Sequence, residues 1–357
     1  MGTTIDLIRV LVVPEPTQED LFYFSGISSM AHDGVRIINR REIEGGVDII
    51  IVLEDAPSTI RYQGNPIKIY LSAETAWDFD DVSQEYHQRF LNQFDLIYSP
   101  HPYHLLNQIS SPPFLPWMIG GDHGNYKYNR DMSYEKLMTS AMVPKDANRL
   151  VSCIVSNQDW KIGHRQRNKF IWEIKKYFGD IITTYGRGAG NPVRSKWDAI
   201  SPHKYHICIE NQQKNNVLTE KILDPFLGFS IPLYDGAINI DEYFPVDSLV
   251  RIDINDLTGS IREIKRCIDG DFFGQHEDRL LQARSIVLDR FSIYKQICAI
   301  SKEAYKKKNS LIGIKYLPYI KPRCYFVPKQ RQLQEYLKEI KYRVKNAPIV
   351  SRWKHKA

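Results

Sequence analysis

The chain has 357 residues, 43% hydrophobic and 25% charged, an ordinary soluble globular composition at a length beyond what one hydrophobic core usually fills, so two domains are expected. No apolar run approaches bilayer-spanning length, and the start MGTTIDLIRVLVV lacks a basic stretch followed by a long apolar one, which argues against a membrane-threaded protein and for a cytoplasmic one. The net charge of +6 is uneven: from Lys315 to Ala357, 12 Lys and Arg face only Glu335 and Glu339, which leaves the rest of the chain acidic. The five cysteines are odd in number, scattered and without a Cys-x-x-Cys pair, as expected for reduced thiols.

Strand-like apolar runs at Leu7 to Val13, Val47 to Leu53, Ile67 to Leu71 and Phe94 to Tyr98 alternate with stretches of helical patterning. They recur at Leu150 to Val155, Tyr205 to Ile209 and Ile231 to Tyr234. Such alternation predicts parallel sheets wrapped by helices in two Rossmann-like halves facing each other across a cleft, the GT-B arrangement. The polar, irregular stretch from Gly120 to Asn148 marks the crossing between them. The expected division is 1–148 for one Rossmann-like domain, 149–306 for a second and 307–357 for a basic helical tail. In that tail Leu333, Tyr336, Leu337, Ile340 and Val344 fall at helical spacing with Lys338, Lys341, Arg343 and Lys345 on the other faces. Beside Trp353 this suits the surface of an anionic membrane, and equally a terminal helix packed on the protein with its cations in water. No recognised nucleic-acid motif accompanies it.

Four stretches carry candidate chemistry. Glu74 lies just past a strand, where loops gather at the carboxyl edge of a sheet; a carboxylate there acts as a general base if burial, with Tyr70 and Trp77 as the apolar wall, lifts its pKa. The plainer reading is a loop acid capping the next helix. Asp78-Phe79-Asp80-Asp81 has the look of a metal-binding Asp-x-Asp, but the donor features lie in the other half, so no obligatory metal is expected. After Ser156-Asn157 a helix begins near Arg167, whose guanidinium suits bidentate phosphate contact, with Arg165 a close rival and a solvated helix start the alternative. Tyr185-Gly186-Arg187-Gly188 is a turn without the following spacing of a dinucleotide fingerprint.

The fourth stretch, Tyr205 to Pro245, packs a strand, a polar loop, a helix start at Thr219-Glu220-Lys221, a second strand and a glycine turn into a short span. Unpaired amides and the dipole at a helix start favour an anion, and Lys221 adds a point charge, as a nucleotide diphosphate requires. The alternatives are an exposed helix lysine and, for Glu220, an acid that merely complements the dipole. Pro225 is expected to kink this helix or restart it at Asp224.

Tyr205, Ile207, Glu210-Asn211 and Leu218-Thr219-Glu220-Lys221, followed by Ile231-Pro232, Gly236-Ala237-Ile238-Asn239-Ile240 and Tyr243-Phe244-Pro245, together resemble the signature of the alpha-1,3-fucosyltransferase family, glycosyltransferase family 10. The resemblance runs from about Val151 to Val250. It implies a GT-B fold, GDP-fucose as donor, no obligatory metal, and a glycan or lipid-linked oligosaccharide as acceptor. It implies that Glu74 deprotonates the acceptor, that Arg167 and Lys221 hold the diphosphate, and that Glu220, Glu210, Asn211, Thr219, Asn157, Arg187 and Asn216 form the donor site. Two departures bear on the sugar: Gln212 replaces the usual serine, and Asn216-Val217 replaces a pair ending in tyrosine, so that only Asn215 or Asn216 offers a polar group there. Two other readings stand beside this one: a transferase using another nucleotide sugar, and a catalytically inactive binding protein on the same fold.

Overall fold

The computed structural model describes residues 7–74, 81–121, 132–155, 162–308 and 318–327. The first half runs β1 (Ile8–Val13), α1 (Gln18–Ser25), β2 (Ala31–His32), β3 (Val35–Ile38), β4 (Ile49–Leu53), β5 (Ile60–Arg61), β6 (Ile67–Leu71), α2 (Asp81–Leu91), β7 (Leu96–Ser99), β8 (Gln108–Ser110) and α3 (Tyr134–Thr139). The second runs β9 (Val151–Ile154), α4 (Ile162–Phe178), β10 (Ile182–Tyr185), α5 (Lys196–Ile200), β11 (Tyr205–Ile209), α6 (Glu220–Leu227), β12 (Ile231–Asp235), β13 (Val250–Arg251), α7 (Leu257–Asp269), α8 (Phe272–Gln275), α9 (Glu277–Arg290) and α10 (Ile293–Lys306). A short strand, β14 (Tyr319–Ile320), follows.

Branched and aromatic runs such as IIIVL in β4 are buried on both sides, which is what a strand covered by helices on both faces requires. The first sheet has the order β2-β3-β1-β4-β6-β7-β8 and the second β10-β9-β11-β12-β13. Every pairing in them is parallel except β2 with β3. The period of two along β1 sorts its side chains: Val10 and Val12 join a core that continues into the second sheet, whereas Leu11 and Val13 join a separate one with Tyr70, Phe90 and Ile320. Trp117 and Ile119, just after β8, are fully buried in the continuous core and tie the two sheets together.

Helix α10 packs against α1, β1 and β3 of the first half. Ser292 at its start donates to the carbonyl of Phe24 at 3.0 Å and lies 2.7 Å from Ser25 Oγ, and Lys302 pairs with Asp33. The described part of the expected helical tail is extended instead: β14 pairs antiparallel with β5, and a single turn of 3-10 helix follows at Arg323–Tyr325. The amphipathic positions from Leu333 to Trp353 lie outside the described residues, as do Trp77, Asp78 and Asn157. No helix among the described residues is long and apolar enough to cross a membrane.

Candidate active site

In the second sheet the chain passes from β9 outward to β10, then returns to the other side of β9 for β11, so the connections after β9 and β11 diverge. A crevice opens at the carboxyl ends of strands where this happens. Helix α4 carries Arg167 to that point, and the loop after β11 carries Glu210 and Asn211. The Arg167 Nη1 donates to Asn211 Oδ1 at 3.3 Å across the divide.

Helix α6 supplies the opposing wall. Thr219 caps it in extended conformation (φ −130°, ψ −170°), its hydroxyl accepting from the Lys221 amide at 3.3 Å. The buried Glu210 carboxylate organises this helix start. Its Oε1 accepts from the Thr219 amide at 2.7 Å and hydroxyl at 2.8 Å, and its Oε2 accepts from Lys221 Nζ at 3.2 Å. Glu220 Oε1 lies 3.8 Å from the same ammonium. Pro225 does not restart the helix. It sits in the last turn, and α6 runs unbroken from Glu220 to Leu227, because only the final bonds of so short a helix meet the missing N–H.

Burial alone disfavours every charge here, and the charges answer one another. It works against the Lys221 ammonium, but Glu210 and Glu220 outweigh it and hold Lys221 above the usual lysine value. Burial lifts the Glu210 carboxyl, opposed chiefly by Lys221. For Glu220 burial is overcome by Lys221 and Lys196, which bring it down to about 2. Burial draws Arg167 below the ordinary arginine value, with Glu210 and Glu220 pulling the other way. Two cations, Arg167 and Lys221, and two carboxylates, Glu210 and Glu220, therefore stand together at a helix start.

Of the residues singled out from sequence, Arg167, Lys221, Glu210, Glu220, Asn211 and Thr219 come together. Glu210 builds the helix start, both its oxygens accepting from Thr219 or Lys221. Asn216 reaches the first half. In left-handed backbone (φ 64°) and buried, it donates from Nδ2 to Ser110 Oγ of the first half at 2.6 Å. Its Oδ1 accepts from Asn239 Nδ2 at 2.8 Å and from the Tyr243 hydroxyl. It joins the two halves. Arg187 stands exposed in the turn after β10, where Gly186 is required: at φ 97° a Cβ there would meet the Val155 carbonyl at 2.5 Å. Glu74 stands exposed in the other half, three residues past β6. Tyr70 is no wall for it; with no exposed surface, its ring packs under the sheet on Phe90 and Phe94.

Sequence reasoning missed Lys196 and the role of Asp224. The Asp224 carboxylate, buried in α6, takes Lys196 Nζ at 2.7 Å and the Met118 amide at 2.7 Å, fastening the helix to the segment that arrives from the first half. Burial, offset by Lys196, still pushes its pKa up to about 6. An acid between apolar Ile222, Leu223 and Phe226 is the one sign the sequence offered. Among the described residues no cluster of three metal-ligating side chains occurs.

Residues 144–269 match glycosyltransferase family 10 (fucosyltransferase), C-terminal domain. The 4-galactosyl-N-acetylglucosaminide 3-alpha-L-fucosyltransferase 9 of Rattus norvegicus is 33% identical over 160 residues, 41% of this chain and 43% of that protein. The alpha-(1,3)-fucosyltransferase FucT of Helicobacter pylori is 33% identical over 63 residues, 18% of this chain and 13% of that one. The chain thus spans less than half the length of these curated relatives. A crystal structure of an alpha1,3-fucosyltransferase superposes with a TM-score of 0.55 at 16% identity, covering 89% of this chain and 95% of the other. One solved with GDP gives 0.53 at 15% identity, covering 88% and 95%. The two-sheet architecture is the GT-B fold of these transferases.

Proposed function

Because its residues 144–269 match the glycosyltransferase family 10 (fucosyltransferase) C-terminal domain, we propose that this chain is a transferase of that family and moves fucose from GDP-fucose to a hydroxyl of a glycan, with inversion at the anomeric carbon. The observation that carries the reading is that Arg167, bonded to Asn211, and Lys221, bonded to the adjacent Glu210, meet inside the matched segment beside a capped helix start.

The donor lies with its diphosphate between these cations, Glu220 and Asn211 accepting or donating to its hydroxyls and Arg187 at the neighbouring turn. Asn157, which precedes α4 in sequence, is assigned to the same donor site, as the family resemblance implies. Glu74 takes the proton of the acceptor hydroxyl. The resulting oxygen attacks the anomeric carbon of fucose from the face opposite the diphosphate, and the carbon–oxygen bond to the β-phosphate breaks. Its electron pair leaves with GDP, whose growing negative charge Arg167 and Lys221 stabilise. Two fixed side-chain cations serve this step, so no divalent ion is required.

A 4-galactosyl-N-acetylglucosamine disaccharide acceptor, the type that the rat relative's name specifies, is the first to assay. Calorimetric titration with GDP and UDP, followed by transfer from GDP-fucose to that disaccharide with and without EDTA, tests the reading. Tight GDP binding, weak UDP binding and EDTA-insensitive transfer are expected; indifference to GDP overturns it.

A further inference from the structure

From the contacts around the loop that follows β6, we infer that Arg323 and Glu54 are positioning residues for Glu74, acting through Ser72. The inference rests on the reading of Glu74 as the base. Glu54 follows β4 in left-handed backbone (φ 64°), a strained conformation for a glutamate that its contacts hold in place. Its Oε2 accepts from the Ala73 amide at 2.9 Å and lies 3.4 Å from Ser72 Oγ. The Ser72 hydroxyl, fully buried, also lies 3.1 Å from the Glu74 carbonyl as donor. One carboxylate therefore grips the backbone immediately before Glu74, and the hydroxyl beside it grips that of Glu74 itself.

Glu54 is in turn held by a residue far along the chain. Arg323 Nη2 donates to Glu54 Oε1 at 2.5 Å and to the Glu54 carbonyl at 2.6 Å, and the Arg323 amide donates to Asp55 Oδ1 at 2.8 Å. Both side chains are largely shielded, 15% and 19% exposed, so the pair is not a solvated surface contact. The segment bearing Arg323 is itself clamped to the first sheet. β14 pairs with β5, and Gln93 exchanges two hydrogen bonds with Lys321, at 2.8 and 3.1 Å. Phe326 packs edge-on against Phe90. A guanidinium that is always charged, fixed by a clamped strap, orients a carboxylate whose other oxygen sets the loop of the candidate base. The donor-site residues belong to the other sheet and take no part.

The test combines Ser72→Ala, Glu54→Gln and Arg323→Met with Glu74→Ala in full-length protein. Transfer from GDP-fucose to the disaccharide, GDP affinity by calorimetry, and hydrogen exchange of the Ala73 amide are measured. Each of the three single variants is expected to lower kcat about tenfold or more and to speed Ala73 exchange, with GDP affinity within twofold of the parent. Arg323→Lys, which keeps the charge, should recover part of the loss. In the Glu74→Ala background the same substitutions should cost no further activity, because they act through Glu74; losses that multiply indicate a merely structural role and overturn the inference. If Glu74→Ala is inactive while Glu54→Gln and Ser72→Ala keep the parent kcat, the inference fails and the proposed function stands. Parent-like turnover in Glu74→Ala removes the base reading and this inference together.

Discussion

Lys221 Nζ lies 3.2 Å from Glu210 Oε2, and the same carboxylate holds the Thr219 amide and hydroxyl through its other contacts. The acid therefore fixes both the cap of α6 and the cation of its first turn. Removing the cation deletes transition-state stabilisation directly, so Lys221→Ala should lower kcat by about 10²-fold or more. Glu210→Ala should leave Lys221 undirected and a buried helix start unpaired, costing about 1–3 kcal/mol of stability as well as GDP affinity. Denaturant unfolding beside steady-state kinetics separates the two effects.

Arg167 and Arg165 were rivals in the sequence, and the structure distinguishes them. Arg167 reaches Asn211 across the crevice, whereas Arg165 sits exposed on α4. Loss of a charge-assisted contact of about 1.5–3 kcal/mol predicts that Arg167→Ala weakens GDP binding roughly tenfold or more. Arg165→Ala should stay within about twofold. Calorimetry with GDP checks both, and the reverse ranking would reassign the phosphate contact.

Glu74 stands in the half opposite the donor crevice. Its replacement by Gln should reduce transfer by about 10²–10⁴-fold while GDP affinity is unchanged, the signature of a lost general base. Equal losses in affinity and turnover would place it at the donor instead.

Asn216 serves the joint between the halves through Ser110, Asn239 and Tyr243. Asn216→Ala strands several buried polar partners and forces alanine into left-handed backbone, so a stability loss of about 1–3 kcal/mol is expected. GDP affinity measured below the unfolding transition should be nearly unaffected. A large affinity loss in a stable variant would return this residue to the donor site.

Acid sensitivity follows from buried neutral histidines. Burial, then His203 and Lys196, hold His206 at about 3, its Nδ1 2.7 Å from Ser152 Oγ; burial, then Arg323 and His101, hold His87 at about 3. Both folded values lie below the unfolded one near 6.5, so between about 3 and 6.5 the unfolded chain binds more protons and stability falls as pH falls. Each contributes a slope of about 1.4 kcal/mol per pH unit inside that window. Asp224, raised to about 6, works the other way, so the comparison must be made against variants. His206→Gln should show a shallower loss of stability from pH 6.5 to 4 in urea titrations; an unchanged slope would mean His206 titrates normally.

The long apolar runs were legible because burial on both faces of a parallel strand leaves little room for polar residues, as in β4, β6 and β11. β3 and β10, with VRII and ITTY, are short and mixed, and only pairing with a neighbour makes them strands. Glu210, Asn211, Thr219, Glu220 and Lys221 could be read as one cluster because they sit close together in sequence around one helix start, whereas Arg167 reaches Asn211 from 44 positions away. Lys196, Ser110 and Met118 are partners from afar, and nothing near them signals Asp224 or Asn216. The least legible element was the Arg323 strap: composition marked that region as basic, but a single arginine pairing with Glu54, across most of the chain, leaves no periodic trace.

Helix α10 covers β1 and β3 from the far side of the chain, and the strap closes beside β5. A fragment cut at the crossing near residue 148 would therefore carry an uncovered apolar face where α10 belongs, inviting self-association. The two halves are separable on paper by their sheets, yet neither is an autonomous piece for expression, and attempts to swap one half for that of a relative should carry residues 293–327 along with the first sheet.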